Sequence, residues 1–139
     1  MKPNTLSTVT SSYRIYHYNG VESDLYIQCK GLHSGRPLHK PIPNCIAVET
    51  AHPHAFAVAF AVYSAGLYLP RQRGTCQQFI NLSDVHEVLG PALRALSPEQ
   101  EDALRAIAAA DDLQRNLDQR AQIARELRGR LSRSFIATL

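Results

Sequence analysis

Hydrophobic residues recur at three- and four-residue steps along the last third of the chain. Leu113, Leu117, Ala124, Leu127 and Leu131 form the stripe, Arg120 interrupts it, and Ile107, Ile123 and Phe135 lie beside it. This spacing predicts one amphipathic helix with a coiled-coil-like seam of about three heptads, which would pack on a second helix. Its start is marked by Ser97, Pro98 and Gln100. A Ser hydroxyl accepts from free amides of the first turn, Pro fits the first helical position, and Gln three residues on reaches back. Good helix formers then dominate to Leu139, with Gly129 the one weak point. At about 1.5 Å per residue, such a helix would run to roughly 65 Å. That exceeds the diameter of a domain this size, so part of it is expected to project or to lie against something else.

Upstream the pattern changes. Tyr13, Ile15 and His17 alternate with Arg14, Tyr16 and Tyr18, which suits a strand. Asn19-Gly20 is a tight-turn signal, so a hairpin is expected between Tyr13–Tyr18 and a second strand in Asp24–Lys30. Gly31–Asn44 carries too many prolines for a central strand and reads as a loop. Cys45–Thr50 predicts a third strand, with Thr50 as a cap for the helix that follows. Ala51–Leu67 is apolar on all sides, the mark of a buried core helix, and Gly66 suits its end. After the basic connection Leu69–Gln78, a short strand is expected at Phe79–Leu82. A helix Asp84–Leu89 capped by Ser83 follows, then a break at Gly90-Pro91 and a further turn at Ala92–Leu96. Residues 1–12, rich in Ser and Thr, read as a frayed tail or an edge segment. The expected fold class is α+β. A small strand-containing domain packed on a buried apolar helix occupies residues 1–96, and a long C-terminal helix for packing or dimerisation occupies residues 97–139.

Composition narrows the function classes. With 139 residues, 45% of them hydrophobic, the chain suffices for one cored domain, or a small domain plus a helical extension. A net charge of +3 permits nucleic-acid binding without demanding it. Within the long helix, Glu99, Glu101, Asp102, Asp111 and Asp112 come early, while Arg115, Arg120, Arg125, Arg128, Arg130 and Arg133 come late. Cys29, Cys45 and Cys76 are odd in number and widely spaced, which suggests reduced thiols and a cytoplasmic location. Met1–Tyr18 lacks the apolar core of a signal peptide, and Ala55–Leu69 is too short and too broken to span a bilayer. No membrane association is expected.

Candidate chemistry is sparse. His52-Pro53-His54 is the only tight pair of metal-ligand residues, too little to assign a zinc site, and no cofactor is expected. Cys76 with His86, or Cys45 with His52, would make a thiol nucleophile and base, but nothing in the local sequence specifies either arrangement. No phosphate-cradling glycine motif occurs. The chain is therefore read as non-enzymatic. Arg71, Arg73, Thr75, Gln77 and Gln78 are the more informative set, because Arg and Gln make two-pronged hydrogen bonds to base edges and Gly74 lets backbone come close to a ligand. Arg36 and Lys40, in the basic part of the Gly31–Asn44 loop, would support phosphate contact.

The order of these motifs resembles the second part of a target-recognition domain from type I restriction–modification specificity subunits. In that family an apolar helix precedes a G-[ST]-x-Q stretch, a short strand and turn, a proline-bearing segment ending near P-x-E-Q, and a long helix. The corresponding residues are Gly74-Thr75-Cys76-Gln77, then Phe79–Val85, Pro91, and Ser97-Pro98-Glu99-Gln100. The resemblance spans roughly the last 80 residues. The S-G-x-T-P stretch of that family is met only by Ser34-Gly35-Arg36-Pro37, without the Thr. The whole chain also resembles a family of short, uncharacterised bacterial proteins with a K-G-x-x-S-G-x-P-L…P-N-C pattern. Here that pattern is Lys30-Gly31, Ser34-Gly35, Pro37-Leu38 and Pro43-Asn44-Cys45. The first resemblance implies a non-catalytic module whose partners are duplex DNA and a methyltransferase or other helical protein, or a homodimer formed through the C-terminal helix. The alternative expectation is a protein-interaction or regulatory module that does not bind DNA.

Overall fold

The two strands with three consecutive buried apolar residues take the middle of the sheet. The computed structural model describes residues 13–139, so the segment expected to be a tail, residues 1–12, lies outside the described residues. Four strands, β1 (Tyr13–His17), β2 (Leu25–Ile27), β3 (Pro37–Leu38) and β4 (Ile46–Thr50), form one sheet in the order β1-β4-β2-β3, every neighbouring pair antiparallel. In β4, Ile46, Ala47 and Val48 are all fully buried, which only a strand covered on both faces allows. β1 alternates a buried Ile15 with an exposed Arg14 and stands at an edge.

This arrangement replaces the expected β1–β2 hairpin. Both strands pair with β4 and lie on opposite sides of it, Ile15 and Leu25 each opposite Val48. The turn signal is spent locally instead. Gly20 has φ +93° and Asn19 Oδ1 accepts from the Val21 amide at 3.1 Å. The connection is then tied to β4, Ser23 Oγ donating to the Val48 carbonyl at 2.8 Å and Asp24 Oδ2 accepting from the Thr50 amide at 2.9 Å. Pairing on β4 buries an apolar ladder that a two-stranded hairpin would have left open to water. β3 falls within the segment expected to be loop, and its proline is tolerated because β3 is an edge.

The sheet has two apolar faces. Ile15, Leu25, Ile27, Ile46 and Val48 share one of them by register. On the other, buried Tyr26, Cys45 and Ala47 pack with Tyr16, Tyr18 and Leu38, Tyr18 meeting Tyr26 edge-to-face at 5.5 Å. Helix α1 (Ala55–Ser64) is shorter than the expected Ala51–Leu67. Thr50 does not cap it. The hydroxyl of Thr50 accepts from the His52 amide, and His52 Nδ1 accepts from the His54 amide, so the chain turns twice before the helix begins. α1 buries Ala55, Ala57, Val58, Ala59 and Val62 but leaves Phe60 39% exposed, so it is a core helix on one side only. Gly66, φ +78°, stands just past its Ala65 cap, the stop its sequence indicated.

Helix α2 (Leu82–Arg94) runs through the expected break at Gly90-Pro91. Proline deletes one backbone hydrogen bond, but Val88, Leu89 and Leu93 are buried around it and outweigh that loss. Gly90 serves packing: a Cβ there would lie 2.4 Å from the Tyr13 hydroxyl of β1. The expected strand at Phe79–Leu82 is reduced to isolated bridges from Phe79 to Lys30 and to Arg73, and Asn81 rather than Ser83 caps α2. After a 3-10 turn at Pro98–Gln100, helix α3 (Glu101–Ala137) continues for 37 residues, unbroken at Asp111-Asp112 and at Gly129. The capping box read from Ser97 and Gln100 is present. Contacts divide the chain into a unit ending at Arg105 and a second unit, Ala106–Leu139. The division falls inside α3 rather than at Ser97, because Leu104 is buried and Glu101 reaches His54 Nε2 at 3.6 Å.

Candidate functional site

Two regions hold the residues singled out above: a polar cluster in the first unit and the stripe along α3. The cluster grows from the Ser34-Gly35 segment. The Gln28 amide donates to the Arg36 carbonyl and the Gly35 amide to the Gln28 carbonyl, closing a tight loop beside β2 and β3. Gly35 has φ +99°, and a Cβ on it would lie 2.4 Å from the ring of the buried Tyr68. Only glycine meets both demands. Ser34 is fully buried, and its hydroxyl accepts from Gln72 Nε2 at 3.0 Å. The Ser-Gly pair thereby seats Tyr68 and Gln72, and Gln72 lies between the two arginines expected to face DNA.

Both arginines are engaged within the protein. Arg73 grips Asp84 with two nitrogens, at 2.7 and 3.3 Å. Arg71 pairs with Glu87 and lies 3.7 Å from Asp84. Asp84 also accepts from the Asn81 amide at 2.7 Å as the third residue of the α2 capping box. It is almost wholly buried. Burial alone would push its carboxyl up, but the Asn81 amide and the Arg73 and Arg71 guanidiniums together hold it below the usual carboxylate range. Tyr68 is held far above the ordinary phenol range by its burial and by the Asp84 charge, and its buried hydroxyl has no hydrogen-bond partner among the described residues.

The remaining residues of the expected DNA face sit on a loop closed by this cluster. Arg73 and Phe79 exchange both backbone hydrogen bonds, and Gly74 turns the chain with φ +102°. Thr75, Gln77 and Gln78 are exposed on that loop. It is tied to the Lys30-Gly31 segment, the Gly31 amide donating to the Gln78 carbonyl at 2.7 Å. Arg36 is exposed and donates to Gln28 Oε1 at 3.0 Å, and Lys40 is exposed beyond β3. The structure thus brings Arg71, Arg73, Thr75, Gln77 and Gln78 onto one segment. It spends the two arginines on carboxylates and leaves the uncharged side chains outward. Sequence alone does not single out Asp84, Tyr68 or Gln72, and it marks Ser34 only within the Ser34-Gly35 pattern. The Asn81–Asp84 spacing was a usable capping signal, but burial of the carboxylate depends on pairings distant in sequence.

His52 and His54 rings are 6.0 Å apart, and burial together with the His54 charge pushes His52 down. Cys29 donates to the Asn44 carbonyl and is pushed up by burial, which disfavours its thiolate. Cys45 is buried and Cys76 exposed. Among the described residues, no three His, Cys, Asp or Glu side chains gather as metal ligands. No helix is long and apolar enough to cross a membrane, a statement that covers the described residues.

The stripe on α3 is as open as the cluster is closed. Leu113, Leu117, Leu127 and Leu131 are 49–60% exposed, and Ile123, Phe135 and Ile136 are exposed with them. Ala124, Leu127, Leu131, Phe135 and Ile136 line a shallow apolar depression along the helix. The ion pairs of the helix, Glu101–Arg105, Asp111–Arg115 and Asp112–Arg115, lie toward its acidic end.

None of the curated proteins and none of the solved structures matches the chain. A family model described as a family of unknown function, DUF6943, matches residues 12–134, which takes in the sheet, the Lys30–Cys45 pattern, the arginine cluster and nearly all of α3. The match shows no restriction–modification specificity family, and because it spans most of the chain's length, the chain belongs to DUF6943.

Proposed function

We propose that the protein is a non-enzymatic docking module whose working surface is the apolar face of α3. The observation that carries this reading is the row of exposed Leu113, Leu117, Leu127, Leu131 and Phe135 at helical spacing on one unbroken helix. An exposed apolar row on a charged helix gains about 25 cal/mol for each Å² a partner removes from water. Beyond Leu104, α3 also leaves its apolar stripe without the packing from which most helices in proteins draw their stability. The test is a photo-cross-linking side chain placed in living cells at Leu127, on the stripe, or at Gln122, on the opposite face. Discrete protein adducts from position 127 and none from position 122 are expected. No adducts from either position, or equal adducts from both, would refute the docking reading.

A second reading, DNA recognition of the kind implied by the resemblance to type I specificity subunits, is favoured by one observation. Thr75, Gln77 and Gln78 stand outward on a loop made rigid by the Arg73–Phe79 pairing. It is the weaker reading because Arg71 and Arg73 already pair with Asp84 and Glu87, which lowers the positive charge available to phosphates. Its test is binding to random-sequence duplex DNA at two salt concentrations. Salt-sensitive binding that weakens on Gln77→Ala with Gln78→Ala supports it, and no binding at low salt removes it. These two changes are preferred to Arg73→Ala, which would also disturb α2.

A further inference from the structure

We infer that the partner of the α3 stripe is a second copy of this chain, laid antiparallel across the stripe with the two-fold axis at the level of position 122. This inference rests on the docking reading above and adds the identity and direction of the partner. Its basis is the symmetry of the stripe. Leu113 and Leu131 are equidistant from position 122, as are Leu117 and Leu127, and as are Arg120 and Ala124. An antiparallel copy in this register therefore sets Leu113 against the partner's Leu131, Leu117 against the partner's Leu127, and Arg120 against the partner's Ala124. The one charged residue in the seam meets the one small residue. Its stem can lie over the Ala methyl while the guanidinium reaches the rim.

The flanks agree with the seam. In this register Ile107 comes beside the partner's Phe135, and the two copies of Ile123 meet near the axis. All of these side chains except the half-buried Ile107 are exposed in the single chain. Charge gives the same direction. Asp111 and Asp112 stand toward one end, while the stretch after Asp118 contains Arg120, Arg125, Arg128, Arg130 and Arg133 and a single acid, Glu126. Antiparallel pairing lays Asp111 level with the partner's Arg133 and the acidic half along the basic half. Parallel pairing would stack Arg120 on its own copy inside an apolar seam and align basic half with basic half, which is repulsive.

The experiment uses the full chain with the exposed Cys76 changed to Ser. Sedimentation of this protein is expected to show a dimer at tens of micromolar, weakening several-fold as salt rises. Leu117→Asp with Leu127→Asp is expected to leave a monomer with an unchanged circular-dichroism spectrum. Direction is read by disulfide trapping. A mixture of Leu113→Cys and Leu131→Cys chains should yield a covalent dimer on mild oxidation, well above what either chain yields alone. Efficient trapping of Leu113→Cys with itself would mean parallel pairing, and a trimer or tetramer mass would mean another assembly. Either overturns the inference while leaving the docking reading intact. A chain that stays monomeric at tens of micromolar also overturns it. The cellular cross-link at Leu127 then decides, separately, whether α3 docks at all.

Discussion

The polar cluster around Asp84 and the stripe on α3 are built from residue types that look equally available on paper. In the cluster, two arginines, a serine, a glutamine, an aspartate and a glutamate consume one another's hydrogen-bonding capacity. On α3, five leucine-sized side chains recur along one face with nothing in the described residues covering them. A surface that has already satisfied itself has little left to offer a ligand. A surface that has not is where binding free energy remains to be gained.

The sharpest way to break this comparison is to make the same substitution in both regions. Gly35→Ala should destabilise the first unit by about 3 kcal/mol, because it forces a Cβ into the Tyr68 ring at a left-handed φ. Urea unfolding would read this as a lower midpoint. Asp84→Asn comes next. It leaves Arg73 facing an uncharged group and weakens the capping box, for a loss of about 2 kcal/mol at neutral pH. This is less than a fully buried pair would cost, since the Arg73 side chain is 47% exposed.

The same variant carries a pH signature. The Asp84 pKa is lower folded than unfolded, so its stabilisation is complete above the unfolded value and is lost as pH falls through the folded one. Wild-type stability should therefore fall more steeply than that of Asp84→Asn below about pH 4. Parallel acid limbs in urea titrations at several pH values would contradict the assignment. Gly129→Ala should have the opposite sign to Gly35→Ala. In a helix interior Ala is favoured over Gly by about 1 kcal/mol, and the added Cβ meets only the flexible end of Arg133. A higher melting temperature of the helical signal would show it. The smallest expected effect on stability is that of Leu117→Asp with Leu127→Asp, under about 0.5 kcal/mol per site in the isolated chain. Should those changes unfold the chain, the stripe would be part of its own core.

How much was legible beforehand follows the same division. α3, its capping box at Ser97 and its apolar stripe follow from residues three or four apart, and local periodicity records such spacing directly. The α+β class, the strands at Tyr13 and Cys45 and the Gly66 stop were also local. The strand order was not, because Asn19-Gly20 signals a turn but does not say which strand lies across it. The proline at position 91 reads as a stop unless the burial of Leu89 and Leu93 is known. The arginine segment reads as a candidate surface because its counter-charge, Asp84, is more than ten residues away and resembles any N-terminal helix acid. Belonging to a family of unknown function fits the K-G-x-x-S-G-x-P-L pattern, whose residues serve architecture at Ser34 and Gly35.

The central position of β4 also governs the order in which this protein can assemble. β1 and β2 precede β4 in the chain and touch it rather than each other, so both wait for a segment some twenty to thirty residues away to arrive. Turns of α3 close between residues four apart and need no such wait. After a temperature jump, α3 should relax in about a microsecond, and the sheet, limited by distant loop closure, in milliseconds or longer. Until β4 docks, two strands with open edges coexist. A slow step at β4, such as one caused by replacing Val48, would therefore show first as aggregation during refolding rather than as a loss of helix.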